Sequence, residues 1–197
     1  MDKTSYIYQQ IFVSKFPSEG FEHYLQQNQD VVEEIVCCLS QALNGKNNRA
    51  INLLLDSALL NNKKLDPRYV DVLQEILNNR EDWNHTHEVV CEYLAIIKAP
   101  QSIESLYRAA IDFPASELHG IPLKAVWALK SIDTPEAKNA LKRLAVEADP
   151  TTAKKVMKYL HDGNWSGWAE SCELYNIFPK SYNVSNHKKA QLYPGNS

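Results

Sequence analysis

The chain has 197 residues, of which 44% are hydrophobic and 23% charged, and a formal net charge of -3. That length suffices to bury roughly 70% of the unfolded surface in one compact domain or one short repeat array, so stability requires neither a disulfide nor a metal. The acidic balance speaks against general nucleic-acid binding, no run of about 18 uncharged apolar residues offers a membrane span, and MDKTSYIYQQIFVSKF lacks the basic and apolar regions of a secretory signal, so a soluble cytoplasmic protein is expected.

Six glycines in the whole chain and few β-branched runs argue against sheets, while apolar residues recur at helical spacing almost throughout. The expectation is an all-α protein with legible helix punctuation. Asp30 with Glu33 reads as a capping box opening a helix over 31–43, closed by Asn44-Gly45. A helix over 49–60 follows. Asp66-Pro67 places an N-cap and a first-turn proline before 67–79, and Thr134-Pro135 and Asp149-Pro150 do the same before 135–147 and 150–161. Between them the periodicity predicts helices over 87–97, 101–112 and 121–132. Trp168, Cys172 and Tyr175 in SGWAESCELY suggest a last helix.

These helices repeat. A shift of 35 positions brings Val90 onto Ala125, Leu94 onto Leu129, Ile97 onto Ile132, Pro100 onto Pro135, Leu106 onto Leu141 and Ala110 onto Ala145. A shift of 33 brings Pro67 onto Pro100 and Leu73 onto Leu106. One of 28 sets Ala153, Met157 and Leu160 in the places of Ala125, Leu129 and Ile132. Each unit is thus helix, turn, proline, second helix, with a period in the range of roughly 33 to 47 residues that marks helical solenoids. The expected fold is a right-handed α-solenoid of about four to five stacked helix pairs in a single domain over 1–176. Its clearest repeats are 49–80, 87–112, 121–147 and 150–176, and 177–197 forms a C-terminal capping segment or tail.

The segment GIPLKAVWALKSIDTPEAKNALKRLAVEADPTTAKKVMKYL resembles a HEAT repeat of the short kind found in bilin-lyase-like proteins. The likeness runs through Ala125, Ala128 and Leu129, Ile132-Asp133, Pro135-Glu136-Ala137 and Ala140-Leu141. Two features depart from that pattern: Lys130-Ser131 stands where a glycine is common before the turn, and Lys124 where an arginine is usual.

The densest set of ligand-capable residues lies in EDWNHTHEVVCEYL, which holds His85, His87, Glu88 and Cys91. Of these, His87 and Cys91 share a helix face at i, i+4, the one geometric argument for a metal. The preferred reading is a helix start: His87 aligns with Pro122 and Cys91 with Val126, Glu88 supplies first-turn negative charge, and Thr86 or Asn84 is the N-cap. The four cysteines, without a C-x-x-C pair, read as reduced and mostly buried. His161 before Asp162-Gly163 reads as a helix-end cap, and His119 with Glu117 as part of an inter-repeat loop. Trp127 is expected to pack between repeats, whereas Trp83 and Trp165 fall in turns. No phosphate loop, dinucleotide fingerprint or nucleophile elbow occurs, so no catalytic residue, metal or cofactor is assigned.

In stacked helix pairs the second helices line the concave surface where partners dock. The residues off their apolar stripes are Asp71, Gln74, Glu75 and Asn78 in one helix, Glu104, Tyr107 and Arg108 in the next, and Lys138, Asn139, Lys142 and Arg143 in the third. The gradient from acidic to basic follows the chain, since residues 1–119 carry 10 basic and 17 acidic side chains and 120–160 carry 8 and 4. Glu104, Tyr107, Arg108, Asn139, Lys142 and Arg143 are therefore the expected partner-binding residues, for another protein rather than a nucleic acid or a membrane. Free-standing repeat proteins of this size resemble bacterial immunity proteins that occlude a toxin domain. The resemblance to the repeat subtype implies an alternative, a bilin-lyase-like or DNA-alkylation-repeat-like enzyme on the same solenoid.

Overall fold

A computed structural model of the chain describes residues 5–14, 20–21, 24, 31–56, 65–79, 84–113 and 120–162, with the side chains of Asn84, His161 and Asp162 left aside. The chain divides into two units, 1–159 and 160–197, and of the second the described part is Leu160–Asp162. Among the described residues every regular element is helical and none is a strand. The expected last helix near 168–175 and the segment 177–197 lie outside them.

Helix α1, Tyr6–Tyr8, runs into a wide π turn over Gln9–Val13. Helix α2, Val32–Asn44, buries Ile35, Cys38, Leu39 and Ala42, the i, i+3, i+4, i+7 stripe of an amphipathic helix. It ends differently from the expected glycine stop: Gly45 has φ -83, and Lys46 takes the left-handed position with φ 50. Gly45 fits there for close approach, since a Cβ would stand 3.3 Å from the Gln41 carbonyl oxygen. Asp30 lies outside the described residues, and Glu33 pairs with Arg68 at 3.4 Å.

Helix α3, Asn48–Leu54, starts where the Asn47 side-chain oxygen accepts the Ala50 N–H at 3.1 Å. Asp66 accepts the Arg68 N–H at 2.9 Å and opens a 3-10 turn over Pro67–Tyr69 that leads into α4, Val70–Asn78. The next pair is α5, Asn84–Ile97, and α6, Ile103–Asp112, the latter preceded by a 3-10 turn over Pro100–Ser102. Then come α7, Ile121–Ile132, and α8, Pro135–Glu147, whose N-cap Thr134 accepts the Ala137 N–H at 3.2 Å. Asp149 caps α9, Pro150–Asp162, by accepting the Thr151 and Thr152 N–H groups at 2.9 and 3.2 Å. All three expected pairs of N-cap and proline are thus in place.

One backbone turn recurs at the 35-residue spacing. Lys98 and Asp133, one period apart, are both left-handed, with φ 57 and 53. The conformation is unfavourable for a side chain with a Cβ, by roughly 1–2 kcal/mol, so its recurrence marks a turn imposed by the packing of the helices on either side. Between α7 and α8 the left-handed residue is Asp133, two positions after the Lys130-Ser131 step where the departure from the repeat pattern lies.

Within the first unit, consecutive helices pack in pairs: α2 on α3, α4 on α5, α6 on α7 and α7 on α8. Alternate helices also touch. One row runs α3, α5, α7, and a second runs α2, α4, α6, α8. The core lies between the rows, where Leu73, Leu94, Leu106, Leu129, Leu141 and Leu144 are completely buried. In α9 the buried positions are Thr152, Val156 and Leu160, while Ala153 and Met157 are half-exposed. The shift of 28 therefore holds for Leu160 and misplaces Ala153 and Met157 by one residue, about 100° around a helix, because a short alignment of alanines and leucines fixes the phase weakly.

Candidate interaction surface

The row α4, α6, α8 carries the polar face expected of the second helices. On α4, Asp71, Glu75 and Asn78 are exposed and Gln74 is half-exposed. Two of them reach the next helix: the Ser105 hydroxyl donates to the Gln74 side-chain oxygen at 3.2 Å, and the Asn78 amide donates to Ser105 at 3.3 Å. On α6, Glu104 and Arg108 form an exposed i, i+4 ion pair at 3.0 Å. On α8, Asn139 and Arg143 are exposed, Lys142 is half-exposed, and Lys138 pairs with Asp133 at 2.9 Å.

Tyr107 corrects the sequence reading. It was expected off the apolar stripe as a contact residue, yet it is 3% exposed. The cause is the position of α6, which packs against α4, α7 and α8 at once and so buries a wider arc than one stripe, taking in Ser105, Leu106, Tyr107, Ala109 and Ala110. The Arg143 guanidinium lies 4.1 Å from the centroid of the Tyr107 ring and donates to its hydroxyl at 2.8 Å, and that hydroxyl donates to the Glu147 carboxylate. Arg143 also reaches Glu147 at 3.4 Å. Burial, with the Glu147 hydrogen bond, holds the Tyr107 phenol above its usual range, and the same hydrogen bond lowers the Glu147 carboxyl. The structure thus joins two of the six expected residues, Tyr107 and Arg143, in one cluster between α6 and α8. Glu104 and Arg108 pair with each other on α6, and Asn139 and Lys142 lie on α8 outside that cluster.

The histidine-rich segment is structural in its contacts. Helix α5 begins at Asn84, three residues before the expected start, so His87 lies one turn inside it. His87 is fully buried, its Nε2 donates to the Ile76 carbonyl at 3.2 Å, and its ring stands 4.8 Å from that of Phe113. Thr86 is not an N-cap but a buried link to α3, with its hydroxyl 2.7 Å from the Asn48 and 2.6 Å from the Asn52 side-chain oxygen positions. A hydroxyl has one proton, so one of the two amides must present its NH2 group. Glu88 is also misread from sequence. Its carboxylate accepts the Gly120 N–H at 2.6 Å, serving the start of α7 rather than that of its own helix.

Cys91 is fully buried, as its alignment with Val126 implies, and burial raises its thiol pKa. Cys38 is pushed up to about 12 by burial, with Glu34 adding to the effect. Both thiols are held protonated and unreactive. Among the described residues no three His, Cys, Asp or Glu side chains are grouped as metal ligands. His119, Glu117, Trp83, Trp165, Trp168 and the His161 side chain lie outside the described residues.

Trp127 reverses its expected role, being 40% exposed instead of packed between repeats. The buried arc of α7 is Ala125, Val126, Ala128, Leu129 and Ile132, and Trp127 falls on the other side with Leu123 and Lys130. The sequence held a signal for this, since the 35-residue shift aligns Trp127 with Glu92, a charged and therefore outward position. Trp127 helps line a shallow groove of about 420 Å3 with Leu123, Glu92, Lys124, Lys155 and Tyr159.

No helix among the described residues is long and apolar enough to cross a membrane. Comparisons of the chain with protein-family models, with curated proteins and with solved structures returned no match.

Proposed function

We propose that the chain is a non-catalytic protein-binding module, a right-handed HEAT-like α-solenoid that recognises a partner protein through the exposed side chains of α4, α6 and α8. The observation that carries this reading is the packing of alternate helices into two rows, which sets the polar sides of α4, α6 and α8 next to one another. Contacts between neighbouring helices, Gln74 and Asn78 with Ser105 and Tyr107 with Arg143 and Glu147, hold that face in one arrangement before any partner arrives. A preorganised face loses less side-chain freedom on binding. Its charge runs from Asp71 and Glu75 to Lys138, Lys142 and Arg143, so the fitting partner presents basic groups at one end and acidic groups at the other.

A bacterial immunity protein that covers a cytoplasmic toxin domain is the biological role proposed, motivated by the small size and the graded polar face. Replacing Arg108, Lys142 and Arg143 together by Glu should weaken binding of a toxin encoded in an adjacent reading frame by about tenfold or more, with the on-rate falling most. Unchanged affinity in a variant whose helical circular dichroism is intact would show that another face is used. Recovery of no stable partner by affinity purification from the native host would remove the immunity role.

A further inference from the structure

The outer sides of α7 and α9 carry a surface that the α4, α6, α8 face does not use. Trp127 stands exposed there beside Leu123, and across the groove the Tyr159 ring is flanked by two ammonium groups, Lys130 at 4.4 Å and Lys155 at 5.0 Å from its centroid. Lys154 and Lys158 are exposed on the same helix and form no ion pair among the described residues. The acidic groups of this region are mostly committed elsewhere: Asp133 pairs with Lys138, Glu147 is bound by Tyr107 and Arg143, and Asp149 caps α9. Among the described residues Glu92 is the one acidic group that lines the groove, and it is matched by Lys124. The surface therefore pairs an exposed indole with lysines that no carboxylate neutralises among the described residues.

Exposed tryptophan beside an aliphatic side chain is the composition of an interface anchor, and uncompensated lysines at the rim select the sign of what approaches. A phosphate backbone fits less well, because its affinity grows with the number of clustered cations and the groove sets the Glu92 carboxylate within them. We propose that this groove is a second docking surface, taking an acidic segment of a partner protein that seats one bulky apolar side chain on Trp127 and Leu123 and sets carboxylates beside Lys130 and Lys155.

The test is selection of a displayed library of short random peptides on the full-length protein, followed by binding of the enriched peptides to Trp127→Ala and Lys155→Glu variants. The expected result is enrichment of Asp and Glu around a large apolar residue, with at least about tenfold weaker binding to each variant, the loss typical of an interface anchor. Both positions are solvent-accessible, and unfolding curves that coincide with wild type separate lost contact from lost fold. No enrichment, enrichment of basic or uncharged peptides, or peptide binding that survives both substitutions would overturn the proposal. So would a single-stranded oligonucleotide that binds this surface more tightly than any selected peptide. The charge reversal of Arg108, Lys142 and Arg143 tests the other face separately.

Discussion

The successive helices α5 and α6 and the successive helices α7 and α8 share buried positions at the 35-residue spacing but pack differently, since α7 lies on α8 whereas α6 lies on α7 and α5 on α4 and α7. Leu94 and Leu129, Cys91 and Val126, and Leu106 and Leu141 are equivalent by the 35-residue period and completely buried in both. Yet the first pair buries Thr86, His87, Ser102 and Ser105, and the second buries no polar side chain. The difference follows from neighbours. The pair α5–α6 has α3 and α4 on one side and α7 and α8 on the other, so polar groups on its flanks are enclosed and find partners in Asn48, Asn52, Ile76 and Gln74. Repetition thus fixes which side of a helix faces the core, and the number of neighbours fixes how far burial spreads around it.

The strongest way to challenge this equivalence is to cut the same atoms from both pairs. Leu94→Ala and Leu129→Ala should each lose about 2 to 5 kcal/mol in urea unfolding, the cost of a large-to-small change at a fully buried site. A loss well under this range at one position alone would show that the two pairs do not share a core.

The contrast in polar burial predicts a smaller effect at one equivalent position. Thr86→Val should cost about 1 kcal/mol or somewhat more, because it keeps the shape but takes the hydroxyl from Asn48 and Asn52. Its counterpart Ile121→Val removes a methylene only and should cost about 1 kcal/mol or less. Thermal denaturation of the two variants, with an Asn52→Leu, Thr86→Val double variant to complete a cycle, tests whether the first pair depends on that network.

The shared left-handed turn predicts a gain. Lys98→Gly and Asp133→Gly should each raise stability by about 0.5 kcal/mol, since relief of the Cβ clash exceeds the entropy that glycine adds to the unfolded chain. Equal shifts in the urea midpoint would confirm that the turn recurs, and a loss at Asp133 would give more weight to its ion pair with Lys138.

The smallest expected effect is a dependence on pH at the contact between the two pairs, where α6 meets α8. The Tyr107 hydroxyl lowers the Glu147 carboxyl, so this hydrogen bond stabilises the fold above the usual carboxylate range and is lost as pH falls through the lowered value. Tyr107→Phe should flatten the acid limb of the stability curve by about 0.3 kcal/mol, a small figure because Glu147 is largely in solvent. A steeper acid limb in the variant would contradict the assignment.

Helix order, most boundaries and three N-caps were readable from sequence because each depends on a few adjacent residues: a side-chain acceptor, a proline without an N–H, and an apolar stripe. Of the six residues expected to bind a partner, Glu104, Arg108, Asn139 and Arg143 are exposed and Lys142 is half-exposed, while the burial of Tyr107 was not readable. Tyr107 shares a helix with Arg108 and points into the gap toward α8, and nothing local distinguishes a flank covered by a neighbour from one left in water. His87 and Glu88 show the same limit, since their partners, Ile76 and Gly120, come from other helices. Trp127 was readable in principle from its phase on α7, which sets it with Lys130 and away from Ala125 and Leu129.

By itself the sequence determined the helical class, the 35-residue period and the caps, all governed by interactions within a turn or two of helix. Only the tertiary structure decided the rest. It turned Tyr107 inward under Arg143, made Glu88 of α5 the acceptor for the start of α7, and left Trp127 in solvent. In each case the deciding energy is burial or a hydrogen bond with a group about 20 to 40 residues away, and no local pattern encodes which distant side chain will stand there.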